Sequence, residues 1–251
     1  MLAQTLNLKL PNWPGARLFC STRLGGVSVG AYTSLNLGVH VGDDPDLVSL
    51  NRQKLEMDWG AKPFFLHQVH GTAVVHLPLS SPDCDVQADA CFTQEKNLAC
   101  TIMVADCLPV LFYLPTAKVV AAAHAGWRGL AAGVLEATLD HLAQFADTKA
   151  CQIWLGPCIG PRHFEVGEDV KNTFCCSDAV SANGFSKSFK HGKYLADLAW
   201  LARRRLGLRG VAHIEGNDST ISWCTFSQPE LYYSFRRDGV SGRFAAAIAL
   251  V

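Results

Sequence analysis

Three residues able to bind a metal or act as nucleophiles share one local context. His70 in QVHG, Cys107 in VADC and His124 in AAHAGWRG each follow apolar residues and precede a glycine or a proline. Strand ends that meet at one edge of a sheet are common places for binding sites. Two imidazoles and a thiolate suit a catalytic zinc, with a fourth position left for water. The pattern therefore predicts a zinc site made by these three residues.

The same residues leave other chemistries open. Copper also binds thiolate and imidazole, so it is a second possible metal. Without a metal, Cys107 is a candidate nucleophile activated by His124 or His70. A third interpretation is structural, with hydrogen-bonded core histidines and a cysteine that acts as a small buried apolar residue.

Other polar residues are candidates for substrate binding and proton transfer. Arg23 lies in the glycine-rich segment STRLGGVSVG, which lacks the G-K-[ST] of a phosphate-binding P-loop, but its guanidinium could bind an anion. We expect Arg23, Gln68 and Arg128 to contact substrate. Glu165 is a candidate proton shuttle, and Asp106 or Glu165 is the candidate acid for a leaving group.

The elements that must position these residues follow from the apolar pattern. The chain has 251 residues, 49% hydrophobic and 18% charged, enough for a large core. Short apolar runs at 98–106, 109–114 and 118–124 predict buried strands joined too closely for helices between them, hence a mixed sheet. Helices are predicted over 45–58, over 129–145 and around 195–206, and SFRRDGVSGR reads as a hairpin turn. The fold class is α/β or α+β.

Composition excludes several classes of protein. Twenty-two basic and twenty-two acidic residues balance, which argues against general nucleic-acid binding. The N-terminus does not resemble a signal peptide, and no apolar run is long enough for a membrane span, so we expect a cytoplasmic protein. No C-x-x-C pair occurs, and reduced cysteines are expected in that compartment.

Six ordered segments resemble the YfiH/YlmD family, also called laccase-domain or polyphenol-oxidase-like. They are STRLGGVSVGAYTSLNLGVHVGDD, QVHG, ADCLPVLF, AAHAGWRGLAAGVLE, WLGPCIGPRHFEVGEDV and YSFRRDGVSGRFAA. The resemblance covers nearly the whole chain. It implies a single domain over 1–251, a four-layer α/β/β/α sandwich, and zinc held by His70, Cys107 and His124.

The resemblance also implies an activity. Members are described as phosphorolysing adenosine, inosine and methylthioadenosine to the free base and ribose 1-phosphate, and as deaminating adenosine. The expected partners are thus purine nucleosides and phosphate, and a homodimer is the default oligomer. The family's other descriptions are a peptidoglycan-precursor amidase, here using Cys107, and a copper polyphenol oxidase. A binding protein with a structural zinc is a further alternative.

Overall fold

The apolar segments form strands, and helices cover them. The computed structural model describes residues 10–79 and 86–251. The strands are β1 (Ala16–Cys20), β2 (Lys62–Phe65), β3 (Val74–Leu77), β4 (Ala90–Thr93), β5 (Leu98–Val104), β6 (Leu108–Leu114), β7 (Val119–Ala125), β8 (Gln152–Leu155), β9 (Glu165–Gly167), β10 (Phe185–Lys187), β11 (Lys193–Ala196), β12 (His213–Gly216) and β13 (Phe244–Leu250). The helices are α1 (Pro45–Trp59), α2 (Trp127–Ala132), α3 (Val134–Leu142), α4 (Glu168–Ser177), α5 (Leu198–Leu208) and α6 (Phe235–Asp238).

Two mixed sheets carry the fold. The six-stranded sheet has the order β12-β8-β6-β7-β4-β3, and the four-stranded sheet has the order β1-β13-β5-β2. A small third sheet, β10-β11-β9, is antiparallel. The pairs β8–β12, β3–β4 and β2–β5 are parallel, whereas the other pairs of the two large sheets are antiparallel. The predicted mixed α/β fold class is confirmed.

Alternating residues of the strands fill the spaces between four layers. Along β7, Ala121 and Ala123 face α3 and α5, while Val120 and Ala122 face the four-stranded sheet. On the outer side of the four-stranded sheet, Trp59 of α1 belongs to a separate cluster of buried apolar residues between this helix and the sheet. The layers therefore run helix, sheet, sheet, helix, and most of the buried apolar surface lies between them.

Three local expectations differ from the structure. The predicted helix over 129–145 is two helices, because Gly133 adopts a left-handed conformation with φ 103° between them. Leu195 belongs to β11 rather than to α5. The segment expected to be a hairpin turn contains α6, which begins after Ser234, whose side chain accepts a hydrogen bond from the backbone nitrogen of Arg237.

Within the described ranges, none of the helices combines the length and the apolar character needed to cross a bilayer.

Candidate metal centre

The chain passes from the four-stranded to the six-stranded sheet next to two of the candidate ligands. His70 lies between β2 and β3, and Cys107 lies between β5 and β6. The third, His124, is the penultimate residue of β7, where it is paired with Pro109 of β6. These positions bring the ligand atoms of the three side chains within 4.8 Å of one another. The three side chains thus lie together, as the pattern predicted, but His70 stands in the loop between β2 and β3 and not at a strand end.

Tight packing around Gly126 holds two of these side chains close together. A Cβ atom at position 126 would lie 2.7 Å from Cδ2 of His70 and 3.1 Å from Sγ of Cys107. His70 itself has a positive φ of 62°, which turns the chain sharply at the end of its loop. A side chain at 126 would therefore displace His70 or Cys107 from these positions.

A buried carboxylate organises the cluster from behind. Oδ1 of Asp89 lies 2.8 Å from Nδ1 of His124 and accepts a hydrogen bond from the backbone nitrogen of His70 at 2.8 Å. Its Oδ2 accepts from the backbone nitrogens of Gly71 at 2.6 Å and Val69 at 3.2 Å. Asp89 is fully buried. Such partners fix the orientation of metal-binding histidines. No local feature of the sequence around Asp89 indicates this role.

The electrostatics of the cluster favour a thiolate beside a charged imidazole. Burial raises the pKa of Cys107, but the charge of His124 and hydrogen bonds from both histidines outweigh it and bring that pKa to about 6. Burial lowers the pKa of His124, but the Cys107 thiolate and Asp89 raise it to about 9. Burial also raises the pKa of Asp89, yet hydrogen bonds from His124 and Gly71 bring it below its usual range. The three groups form a chain of opposite charges.

The donor set fits a zinc ion. Two ligand atoms of a tetrahedral zinc, one sulfur and one nitrogen, lie about 3.6 Å apart. Sγ of Cys107 lies 3.7 Å from Nε2 of His70. Because Asp89 engages Nδ1 of His124, Nε2 of that ring is left for a metal. His124 is buried, Cys107 is half-buried and His70 is exposed, so the site is open on one side.

That open side faces a cleft of about 390 Å³. One wall is apolar or aromatic, and three of its residues, Ile159, Phe164 and Leu198, are buried. The polar lining residues beyond the cluster are His40, Gln68, Asp106, Arg128, Arg236 and Arg243. A volume and lining of this kind are typical of a site for a small organic molecule.

Two of the expected substrate-binding residues line the cleft. Nε2 of Gln68 donates to the carbonyl of Met103 at 2.8 Å, and Oε1 of Gln68 accepts from the Met103 nitrogen at 2.9 Å. This reciprocal pair ties the loop of His70 to β5. Arg128 lies with its guanidinium 4.3 Å from the ring centroid of Trp127, a cation–π contact at the mouth of the cleft.

The structure does not bring Arg23 or Glu165 to this cleft. Arg23 donates to the carbonyls of Thr33 at 2.9 Å and Pro229 at 3.0 Å. Glu165 accepts from Ser188 at 2.6 Å and from Lys190 at 2.9 Å, in a neighbouring depression of the surface. The hydrogen bonds of both side chains thus join neighbouring segments of the chain.

Asp106 lines the cleft with both carboxylate oxygens already engaged. Oδ1 accepts from the hydroxyl of Thr225 at 2.6 Å, and Oδ2 accepts from the backbone nitrogen of Arg236 at 2.7 Å. Its carbonyl oxygen accepts from the nitrogen of Ile159 at 2.9 Å. Asp106, which directly precedes Cys107, therefore holds the segments of Thr225, Arg236 and Ile159 in place.

Sequence reasoning missed three other lining residues. His40 received no functional role, and Arg236 and Arg243 belong to the segment interpreted as a hairpin turn. The signal that could have found them is their position in the motifs LGVHVGDD and SFRRDGVSGR, because both motifs contribute to the family resemblance. The structure shows that these two distant motifs form one wall of the cleft.

Comparisons with known proteins show the family and the same fold. The pattern of the family described as multi-copper polyphenol oxidoreductase laccase matches residues 17–251. A purine nucleoside phosphorylase of Pseudomonas aeruginosa is 46% identical over 96% of this chain and 97% of its own length. The purine nucleoside phosphorylase YfiH of Escherichia coli is 46% identical over 97% and 99%, respectively.

Solved structures give the same result. A Neisseria meningitidis protein of 41% identity superposes with a TM-score of 0.88, covering 98% of this chain and 99% of that chain. YlmD from Geobacillus stearothermophilus superposes with a TM-score of 0.81 at 29% identity, covering 94% of this chain and 92% of that one. The chain therefore belongs to the multi-copper polyphenol oxidoreductase laccase family, together with YfiH and YlmD.

Proposed function

We propose that this protein is a zinc-dependent purine nucleoside phosphorylase that acts on adenosine, inosine and methylthioadenosine and also deaminates adenosine. The observation that carries the proposal is the cluster of His70, Cys107 and His124 at the wall of a nucleoside-sized cleft. Relatives of 42–46% identity over nearly the full chain, named purine nucleoside phosphorylases, support the same reaction class.

The residues of the cleft have separate tasks in this proposal. The buried apolar wall of Ile159, Phe164 and Leu198 excludes water and packs against the flat base. His70, Cys107 and His124 hold the zinc, which when bound polarises an oxygen and lowers the pKa of a water molecule. Asp89 keeps the His124 imidazole oriented and the backbone of His70 in place, and Gln68 keeps the loop of His70 on β5.

A product assay tests the proposal directly. Zinc-loaded protein is incubated with adenosine, with or without inorganic phosphate, and the products are separated by chromatography. We expect adenine and ribose 1-phosphate only when phosphate is present, and inosine in both reactions. Cys107→Ala protein, its zinc content measured alongside, should form neither. A zinc-loaded wild-type protein that releases neither adenine nor inosine would falsify the nucleoside function.

The lowered pKa of Cys107 favours a second candidate function. At neutral pH this thiol is mostly a thiolate in the metal-free protein, and a thiolate is the nucleophile of cysteine amidases. The substrate would be a peptidoglycan precursor. Removing the metal separates the two functions, because an amidase that uses Cys107 survives chelation and the nucleoside enzyme does not.

The same chelation experiment addresses the remaining alternatives. Elemental analysis of protein purified without added metal distinguishes zinc from the copper of a polyphenol oxidase. A purely structural zinc predicts that the protein unfolds on chelation, as measured by circular dichroism, and not that a folded protein loses turnover.

We also propose that residues 1–251 form one domain and that the protein is a homodimer. Limited proteolysis tests the first statement, and sedimentation analysis tests the second.

A further inference from the structure

Phosphorolysis requires a site for phosphate, and the distribution of cations in the cleft indicates where it lies. The guanidinium of Arg23, expected to bind an anion, instead donates to the carbonyls of Thr33 and Pro229 and lies against the ring of Tyr233. Three other arginines line the cleft beside the candidate ligands, namely Arg128, Arg236 and Arg243.

The positive charge of these three arginines is not neutralised by direct ion pairs. Across residues 10–79 and 86–251, no carboxylate oxygen lies within 4.0 Å of a side-chain nitrogen of any of them. Among the described lining residues the only carboxylate is that of Asp106, and both of its oxygens accept other hydrogen bonds. The cleft therefore presents an excess of positive charge to its contents.

Arg243 is held in place at one end of its guanidinium. Nη1 donates to the carbonyls of Ser241 at 2.9 Å and Gly242 at 3.0 Å. All hydrogen bonds of this side chain within the described ranges start from Nη1. The guanidinium lies 6.0 Å from the ring centroid of Phe235, and Arg243 lines the same cleft as Cys107 and Asp106. Arg243 is thus both positioned and close to the candidate metal centre.

Arg236 is fixed in a similar manner on the adjacent wall. Its backbone nitrogen donates to Asp106, and Nη1 donates to the carbonyl of Glu165 at 2.9 Å. Its guanidinium lies 5.3 Å from the ring centroid of Phe164, which lines the apolar wall. A guanidinium anchored by backbone carbonyls at one nitrogen keeps its other nitrogens for a tetrahedral oxyanion.

We propose that Arg236 and Arg243 form the binding site for inorganic phosphate, the co-substrate of phosphorolysis. This inference rests on the proposed function. Phosphate bound there faces a nucleoside whose base lies on the apolar wall. In the reaction, an oxygen of hydrogen phosphate forms a bond to C1′ of the ribose, the bond from C1′ to the base nitrogen breaks, and the base leaves with that electron pair. The proton given up by the phosphate passes to the base. Arg236 and Arg243 hold the phosphate and balance its charge.

Steady-state kinetics of the zinc-loaded full chain test this site. The variants are Arg243→Gln, Arg243→Lys and Arg236→Gln, and the matched control is Arg162→Gln, an exposed arginine outside this cleft. We expect each glutamine variant to raise the KM for phosphate about tenfold or more. The KM for inosine should change less than about threefold, a smaller shift than the loss of a hydrogen bond to a charged group gives. Arg243→Lys, which keeps the charge but not the fork, should lie between.

Equilibrium dialysis with radiolabelled inorganic phosphate keeps the test independent of turnover. Arg236 is exposed, so its variant remains informative even if Arg243→Gln does not fold. Unchanged phosphate affinity and unchanged KM for phosphate in the folded variants would overturn the site. If wild-type protein shows no phosphorolysis but binds phosphate more tightly than the variants do, the proposed function fails while the anion site stands.

Discussion

Nδ1 of His124 lies 2.8 Å from Oδ1 of Asp89, and the same oxygen accepts a hydrogen bond from the backbone nitrogen of His70. One buried carboxylate oxygen therefore holds the imidazole of His124 in β7 and the backbone of His70 in the loop after β2. Because the His124 ring is held by this contact and the His70 loop by three backbone hydrogen bonds, the cluster is arranged before any metal binds.

Replacing this carboxylate should weaken metal binding. Asp89→Asn keeps the size of the side chain but turns an NH₂ group toward donors, so it cannot satisfy all of them. We expect zinc affinity to fall roughly 10–100-fold, measured by competition with a chromophoric chelator. Asp89→Ala should lose more, and its melting temperature should fall because buried donors are left unpaired.

Asp147→Asn is the control for this experiment. Asp147 is also an aspartate that accepts a backbone hydrogen bond, from Lys149, but it is exposed and begins a short turn far from the cluster in sequence. Its zinc affinity should equal that of the wild type. Equal affinity in Asp89→Asn protein would show that Asp89 does not orient the ligands.

Gly126→Ala should disturb the cluster without unfolding the protein. Gly126 has φ −65° and ψ 158°, a conformation that alanine adopts readily, so only space opposes the substitution. The added Cβ would press on the His70 ring and on Sγ of Cys107, and the exposed His70 ring can move away. We expect reduced zinc content with a nearly unchanged far-ultraviolet circular dichroism spectrum.

The matched substitution is Gly207→Ala in α5, where a Cβ meets nothing within 4 Å. Alanine in a helix interior is favoured over glycine by about 0.5–1 kcal/mol, so this variant should be slightly more stable and retain its zinc. A Gly126→Ala protein with full zinc occupancy would contradict the steric argument.

Thr225→Val should separate a supporting role of Asp106 from an acid role. The substitution removes the hydroxyl that donates to Oδ1 of Asp106 but leaves the carboxylate in place. Because the contact is buried and involves a charged acceptor, we expect a loss of about 1.5–3 kcal/mol in the free energy of unfolding from urea titration. Asp106→Asn should cause a comparable loss. If Asp106→Asn abolishes turnover without any change in stability, Asp106 acts chemically rather than as a support.

Stability at low pH should depend on Asp178. The guanidinium of Arg204 donates to both carboxylate oxygens, at 2.7 and 3.0 Å, and lowers the pKa of Asp178 to about 2. The unfolded value is about 3.9, so the ionised group stabilises the fold above that pH, and the contribution disappears as pH falls from about 4 to about 2. Asp178→Asn should therefore lower the urea midpoint at pH 7, and its difference from the wild type should shrink at pH 3. A difference that is equal at the two pH values would contradict the pairing.

The candidate metal site could be predicted from the sequence because a histidine or a cysteine stands at or after the end of an apolar run in each motif. Cys107 stands between β5 and β6, His124 lies near the end of β7 and His70 lies in the loop after β2, and the two stacked sheets bring these positions to one place. The mixed α/β class follows from apolar strands joined by short connections. The role of the three residues as metal ligands stays a prediction, which the variants above test.

Residues whose role depends on tertiary contacts were not predictable in this way. Asp89 stands before β4 in QADACFT, and nothing local shows that its carboxylate meets the end of β7. Arg23 looked available for an anion because one of its carbonyl partners, Pro229, lies far along the chain, and the other, Thr33, reaches it only through the fold of the loop between them. Arg236 and Arg243 lie in a turn-like segment, whose place at the cleft depends on distant contacts with Asp106 and Asn36.

A metal bound at the cluster would connect the two large sheets, because the chain passes between them at His70 and at Cys107. His70 and Cys107 lie where the chain leaves the four-stranded sheet, whereas His124 belongs to the six-stranded sheet. An ion bound by all three residues cross-links the two sheets and opposes sliding of one sheet over the other. Amide hydrogen exchange in β5 and β7 should therefore slow together when zinc is added. Zinc binding at one site would then lower exchange rates in both sheets of the interior.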